Sequence, residues 1–90
     1  VRVIPTDTNY RLQPKQLEAA LIKDRELGRR PFCIIASAGT TNTGVVDPLP
    51  EIADLCAAYN LWLHIDGAYG AAAALSPQGQ AELSGMDRAD

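Results

Sequence analysis

Ninety residues, 47 % of them hydrophobic, can build one small core or a piece of a larger one, but not a two-domain enzyme with a deep cleft. The formal charge is −3, and the eight basic residues are scattered from Arg2 to Arg88 without aromatic interleaving, which argues against a nucleic-acid partner. No apolar run approaches the roughly 20 residues of a bilayer span, and the N-terminus lacks the pattern of a signal peptide, so the expectation is a cytoplasmic protein with no membrane partner.

In chain order, residues 1–5 read as a short strand and residues 6–9 as a turn. Pro14 suits the first turn of a helix, for which Leu17, Ala20, Leu21, Asp24 and Leu27 supply spacings of three and four, with Gly28 as a left-handed stop. Residues 32–38 form a continuous apolar run without alternation, the pattern of a parallel strand covered on both faces. The run breaks into a loop over residues 39–44. Asp47 then reads as the cap of a second helix, with Pro48 and Pro50 near its first turn, Ile52, Leu55, Cys56 and Tyr59 on its buried stripe, and Asn60 at its end.

Residues 61–66 make a second buried strand, followed by the small residues of 67–70; Ala71 to Leu75 suggest a short, tightly packed helix. Ser76 and Pro77 read as the cap and first residue of a further helix running to about Leu83. Strand alternating with helix implies a parallel sheet with right-handed crossovers. Cys33 and Cys56 lack the spacing of a zinc or redox site and read as small buried hydrophobes. Val1 opens directly on a strand-like run, and residues 85–90 resemble a strand about to begin, so the chain is expected to be cut from something longer.

Ligands of open parallel sheets sit beyond the carboxyl ends of the strands, which directs attention to residues 39–44 and to Asp66. Alternation places Trp62, His64 and Asp66 on one face of their strand, with Asp66 aimed inward. A carboxylate there needs a cation or several donors, and a protonated pyridine nitrogen is one such cation. A buried aspartate that only caps the following turn satisfies the same pattern.

Two stretches extend the reading: ASAGTTNTGVVDPL at residues 36–49 and LWLHIDGAYG at residues 61–70. Together they resemble the group II pyridoxal-phosphate decarboxylases, which include the aromatic amino acid and glutamate decarboxylases. The resemblance runs through nearly the whole chain. It implies an α/β fragment of the mostly parallel-sheet large domain of the pyridoxal-phosphate-dependent transferase fold type I, spanning residues 1–90 as strand-helix-strand-helix-strand-helix and truncated at both ends. It also implies pyridoxal 5'-phosphate as cofactor, with Asp66 paired to the pyridine nitrogen so that the ring remains a strong electron sink.

By the same resemblance Ala68 packs against one face of the ring and Thr41 approaches the cofactor. Thr40 is assigned to holding the loop and His64 to supporting the Asp66 region as a hydrogen-bonding core residue, while Trp62 and Tyr69 are read as packing residues. Gly67 stands where many relatives have alanine. The resemblance further implies an amino acid substrate, with an aromatic one the leading reading, and a homodimeric parent.

The lysine that would carry the cofactor is not in the chain, since Lys15 and Lys23 both fall on the polar side of the first helix. The isolated chain is therefore expected to be inactive. Two alternatives are a carbon–carbon lyase with the same cofactor and a non-catalytic α/β module using residues 39–44 as an anion loop. The module reading is weakened by the absence of GxxxxGK(S/T) and GxGxxG patterns.

Overall fold

A computed structural model describes residues 1–40, 43–67 and 76–90. Helix α1 spans Pro14–Glu26, strand β1 Cys33–Ser37, helix α2 Leu49–Tyr59, strand β2 Trp62–Asp66 and helix α3 Pro77–Glu82, followed by a single 3₁₀ turn at Met86–Arg88. The two strands pair in parallel, with Cys33 opposite Trp62 and Ser37 opposite Asp66. Helix α2 makes the crossover and packs on both strands. The expected segment at residues 71–75 lies outside the described residues.

Proline marks the start of all three helices, Pro77 in α3 among them. Pro14 and Pro50 occupy first-turn positions, where the missing N–H would have had no intrahelical partner. Ser76 caps α3 by accepting the Gly79 N–H at 3.0 Å. The predicted stops also form: Gly28 has φ +78°, and Asn60 closes α2 with φ 56°, a conformation asparagine tolerates better than most residues.

The core gathers Leu17 and Leu21 of α1, Ile34 and Ala36 of β1, Leu49, Ile52, Ala53 and Cys56 of α2, and Leu63 of β2. Burial pushes the Cys56 thiol up to about 11, consistent with an inert apolar role, whereas Cys33 is only half-buried. Leu27, expected on the buried stripe, is 58 % exposed because α1 ends at Glu26 and the chain turns away at Gly28.

The expected first strand does not form. Residues 1–5 carry no ladder, and the nearest pairing is the isolated antiparallel bridge between Thr6 and Leu12. Among the described residues β1 pairs with β2 alone, and a cavity of about 700 Å³, lined by Val1 and Ile4 on one side and Cys33 and Ile35 on the other, separates this segment from β1. A strand without a neighbour cannot satisfy its backbone groups in a ladder, whatever its side-chain pattern.

Asp24 anchors this segment instead. Its carboxylate takes both Nε of Arg2, at 2.9 Å, and Nη2 of the same guanidinium, and also Nη1 of Arg29 at 3.1 Å. The Arg2 hydrogen bonds hold the Asp24 carboxyl below its ordinary value against the opposing pull of burial. A folded value below the unfolded 3.8 means that the tether is complete above 3.8 and is lost as pH falls through the lower folded value. The Arg2 Nε–H resonance should therefore lose its hydrogen-bonded shift with a midpoint below 3.8, and Asp24→Asn should remove the transition; a midpoint above 3.8 would contradict the assignment.

Candidate functional site at the carboxyl ends of the strands

Because β1 and β2 are parallel, both carboxyl ends lie at the same edge, and Ser37 and Asp66 are neighbours in register. The Ala38 N–H donates to the Asp66 carbonyl at 2.9 Å, which extends the ladder one step past the strand. Asp66 therefore marks where β2 ends, and residues 39–44 leave β1 directly beside it.

Alternation places Trp62, His64 and Asp66 together with Cys33, Ile35 and Ser37 on one face, and Leu63 and Ile65 with Ile34 and Ala36 on the other. The expected burial is reversed on the first face. Trp62 is 56 % exposed, Ile35 is 65 % exposed, and His64 and Asp66 are exposed as well. Among the described residues nothing buries His64, Trp62 or Asp66, so the expected burial of this face does not arise within these 90 residues. The physical reason is that α2 covers one face of the two strands, and among the described residues no helix covers the other. The apolar run at residues 32–38 carries side chains for two covered faces, of which one is covered.

Two glycines with positive φ, Gly39 at +89° and Gly44 at +71°, bracket the loop at residues 39–44. The Gly39 and Thr40 N–H groups both donate to the Val45 carbonyl at 3.1 Å. The Thr40 and Thr43 hydroxyls are 2.6 Å apart, and Thr40 Oγ1 also accepts the Thr43 N–H at 3.2 Å. Thr40 accordingly spends its hydroxyl inside the loop. Thr41, Ala68 and Tyr69 lie outside the described residues, so the structure describes Asp66, Thr40 and His64 from the expected set.

The Asp47 assignment is overturned. The N-cap of α2 is Pro48, and no side chain caps that helix. Asp47 is 8 % exposed, and its carboxylate reaches away from the helix: Oδ1 accepts the Leu12 N–H and Oδ2 the Ser37 N–H, each at 2.8 Å. Aspartate before proline signals a helix start in any sequence, and nothing local reveals two acceptors drawn toward backbone 35 and 10 residues away.

A carboxylate at the end of a sheet face that also carries Trp62, Ile35, His64 and Ser37, beside a glycine-bracketed loop and the half-buried Gly67, suits a flat cationic heteroaromatic ring, whose N–H the carboxylate can take. These residues fit pyridoxal 5'-phosphate as one wall of its site. Lys15 and Lys23 are exposed on α1, an element separate from the strand ends.

The sequence model described as the pyridoxal-dependent decarboxylase conserved domain matches residues 1–90. An aromatic-L-amino-acid decarboxylase of Bacillus atrophaeus is 52 % identical over 87 residues, which are 97 % of this chain and 18 % of that protein. Among solved structures, mouse CSAD in its apo form superposes with a TM-score of 0.97 at 41 % identity, covering 100 % of this chain and 19 % of that one. Oryza sativa TDC with PLP superposes with a TM-score of 0.91 at 37 % identity, over 99 % of this chain and 19 % of that one. The chain thus spans less than a fifth of the length of these proteins.

Proposed function

The chain belongs to the pyridoxal-dependent decarboxylase family, and we propose that it is a segment of the large domain of an amino acid decarboxylase, supplying Asp66 and one wall of the cofactor site. The observation that carries this reading is the exposed Asp66 carboxylate at the end of β2, in register with Ser37 and next to the loop at residues 39–44. When bound, pyridoxal 5'-phosphate supplies an electron sink for the pair left on the α-carbon as carbon dioxide departs.

Each residue then has a defined task. Asp66 would hold the proton at the pyridine nitrogen, its negative charge favouring the cationic ring, and the ring in that form would act as the electron sink. Thr41 and Ala68 complete this wall in the proposal, Thr41 toward the cofactor and Ala68 against the ring. Thr40 keeps the loop folded through Thr43. His64, on the same open face two residues before Asp66, supports the carboxylate from the side.

An aromatic L-amino acid is the proposed substrate, supported by the 52 % identity to the Bacillus atrophaeus protein of that name. The full-length enzyme, loaded with cofactor, should release carbon dioxide from tryptophan, tyrosine or phenylalanine; cofactor uptake without release from any amino acid would refute the decarboxylase reading. A homodimer and a cytoplasmic setting belong to the same proposal, the second supported by the free thiols of Cys33 and Cys56. Light scattering and cell fractionation check them. No observation favours the carbon–carbon lyase or the binding-module alternative.

The isolated 90-residue chain is expected to release no carbon dioxide and to take no covalent cofactor. Mixing it with pyridoxal 5'-phosphate tests this directly. A stable absorbance band that survived substitution of both Lys15 and Lys23 would contradict the expectation.

A further inference from the structure

We propose that Asp47 is a positioning residue of the cofactor site, a clasp that sets the loop at residues 39–44 relative to Asp66; the inference rests on the cofactor reading above. The antiparallel bridge between Ala38 and Val46 closes the base from which this loop departs and to which it returns. One step further down, Asp47 and Ser37 bind each other twice. The Asp47 N–H donates to the Ser37 carbonyl at 2.9 Å, and Asp47 Oδ2 accepts the Ser37 N–H at 2.8 Å. Ser37 is the register partner of Asp66, and the next residue, Ala38, donates its N–H to the Asp66 carbonyl. The clasp therefore grips β1 at the residue opposite Asp66, just before the loop departs.

The second carboxylate oxygen, Oδ1, takes the Leu12 N–H at 2.8 Å, and Arg11 Nε donates to the Val46 carbonyl at 2.9 Å. The approach to α1 is thereby fastened to the returning arm of the same loop. Three segments distant in sequence meet at one side chain that is 8 % exposed. Only a carboxylate offers two acceptors in that fork, since an amide must turn an NH₂ group toward one of the two N–H donors. A buried donor left facing another donor is costly, and relief comes by moving the base of the loop.

The test uses the full-length enzyme with Asp47→Asn and Asp47→Glu, and with Asp54→Asn as a control that breaks only the exposed Asp54–Arg88 pair. Three quantities are measured: the pyridoxal 5'-phosphate dissociation constant by fluorescence titration, amide exchange at Leu12 and Ser37 in the apoenzyme, and apoenzyme melting. Asp47→Asn is expected to weaken cofactor binding by about tenfold or more, as a small misplacement of a site does. It should also speed exchange at one of the two amides while the apoenzyme stays folded. Asp47→Glu, which keeps both acceptors, should recover part of the affinity, and Asp54→Asn should match the parent. Cofactor affinity within twofold of the parent in Asp47→Asn, despite faster exchange, would overturn the proposal. Loss of the fold in both Asp47 variants would overturn it too, because the clasp would then hold the domain and not the site. A parent enzyme that takes up no cofactor would instead sink the cofactor reading itself, and this inference with it.

Discussion

Asp66→Asn in the full-length enzyme is expected to lower kcat by about a hundred- to a thousandfold while leaving the fold intact. The amide keeps the size of the side chain but removes the fixed negative charge proposed to hold the ring proton. The backbone at this position is secured independently, through pairing with Ser37 and the Ala38 N–H. In the described residues its side chain lies outside the buried apolar cluster. The melting temperature, measured beside turnover, separates loss of the charge from loss of the fold. Measured turnover within about fivefold of the parent would remove Asp66 from the electron-sink role, because one preorganised electrostatic partner is normally worth far more.

Gly85→Ala should be the most destabilising single-methyl change among the glycines whose surroundings are described. Gly85 has φ +94°, and a Cβ built there would lie 2.7 Å from the Pro50 nitrogen and 2.9 Å from the Leu49 carbonyl carbon. Both are backbone atoms at the start of α2, so no rotamer change relieves the contact. The positive φ costs an L-residue about 1–2 kcal/mol and the overpacking about 1–3 kcal/mol more, which together suggest a loss of about 3 kcal/mol. Gly28 is the matched comparison, with φ +78° and no atom within 4 Å of its Cβ position. Gly28→Ala should then cost about 1 kcal/mol, the conformational part alone. Equal shifts of the denaturation midpoint for the two variants would show that the close approach to α2 is not what Gly85 is there to allow.

The same approach places the 3₁₀ turn at Met86–Arg88 against α2, where Arg88 Nη1 meets Asp54 Oδ1 at 2.7 Å. Beyond that turn, the Asp90 N–H donates to the Leu63 carbonyl at 3.1 Å, and the Leu63 N–H donates to Asp90 Oδ2 at 2.8 Å. The outer edge of β2 thus has its first partner, where residues 85–90 were read as a strand about to begin. The opposite edge, along β1, faces the cavity beside residues 1–5.

Much of this molecule was readable without coordinates, because it rests on local rules. Proline at positions 14, 50 and 77, Ser76 as a cap, Gly28 as a left-handed stop and Asn60 as a helix end act through their own backbone constraints, and each does so in the structure. The family also lay in the two motif stretches, since their residues are specified jointly and not by composition. What the tertiary structure decided was burial and long-range partnership. Residues 1–5 have a strand's pattern but no ladder, because a strand exists only with a neighbour. Trp62, His64 and Asp66 share a face as alternation requires, yet only the placement of α2 determines which face is covered. Asp47 looked like a cap because its sequence neighbours are those of one; the donors that claimed it, at Leu12 and Ser37, come within reach only when the chain has folded back on itself.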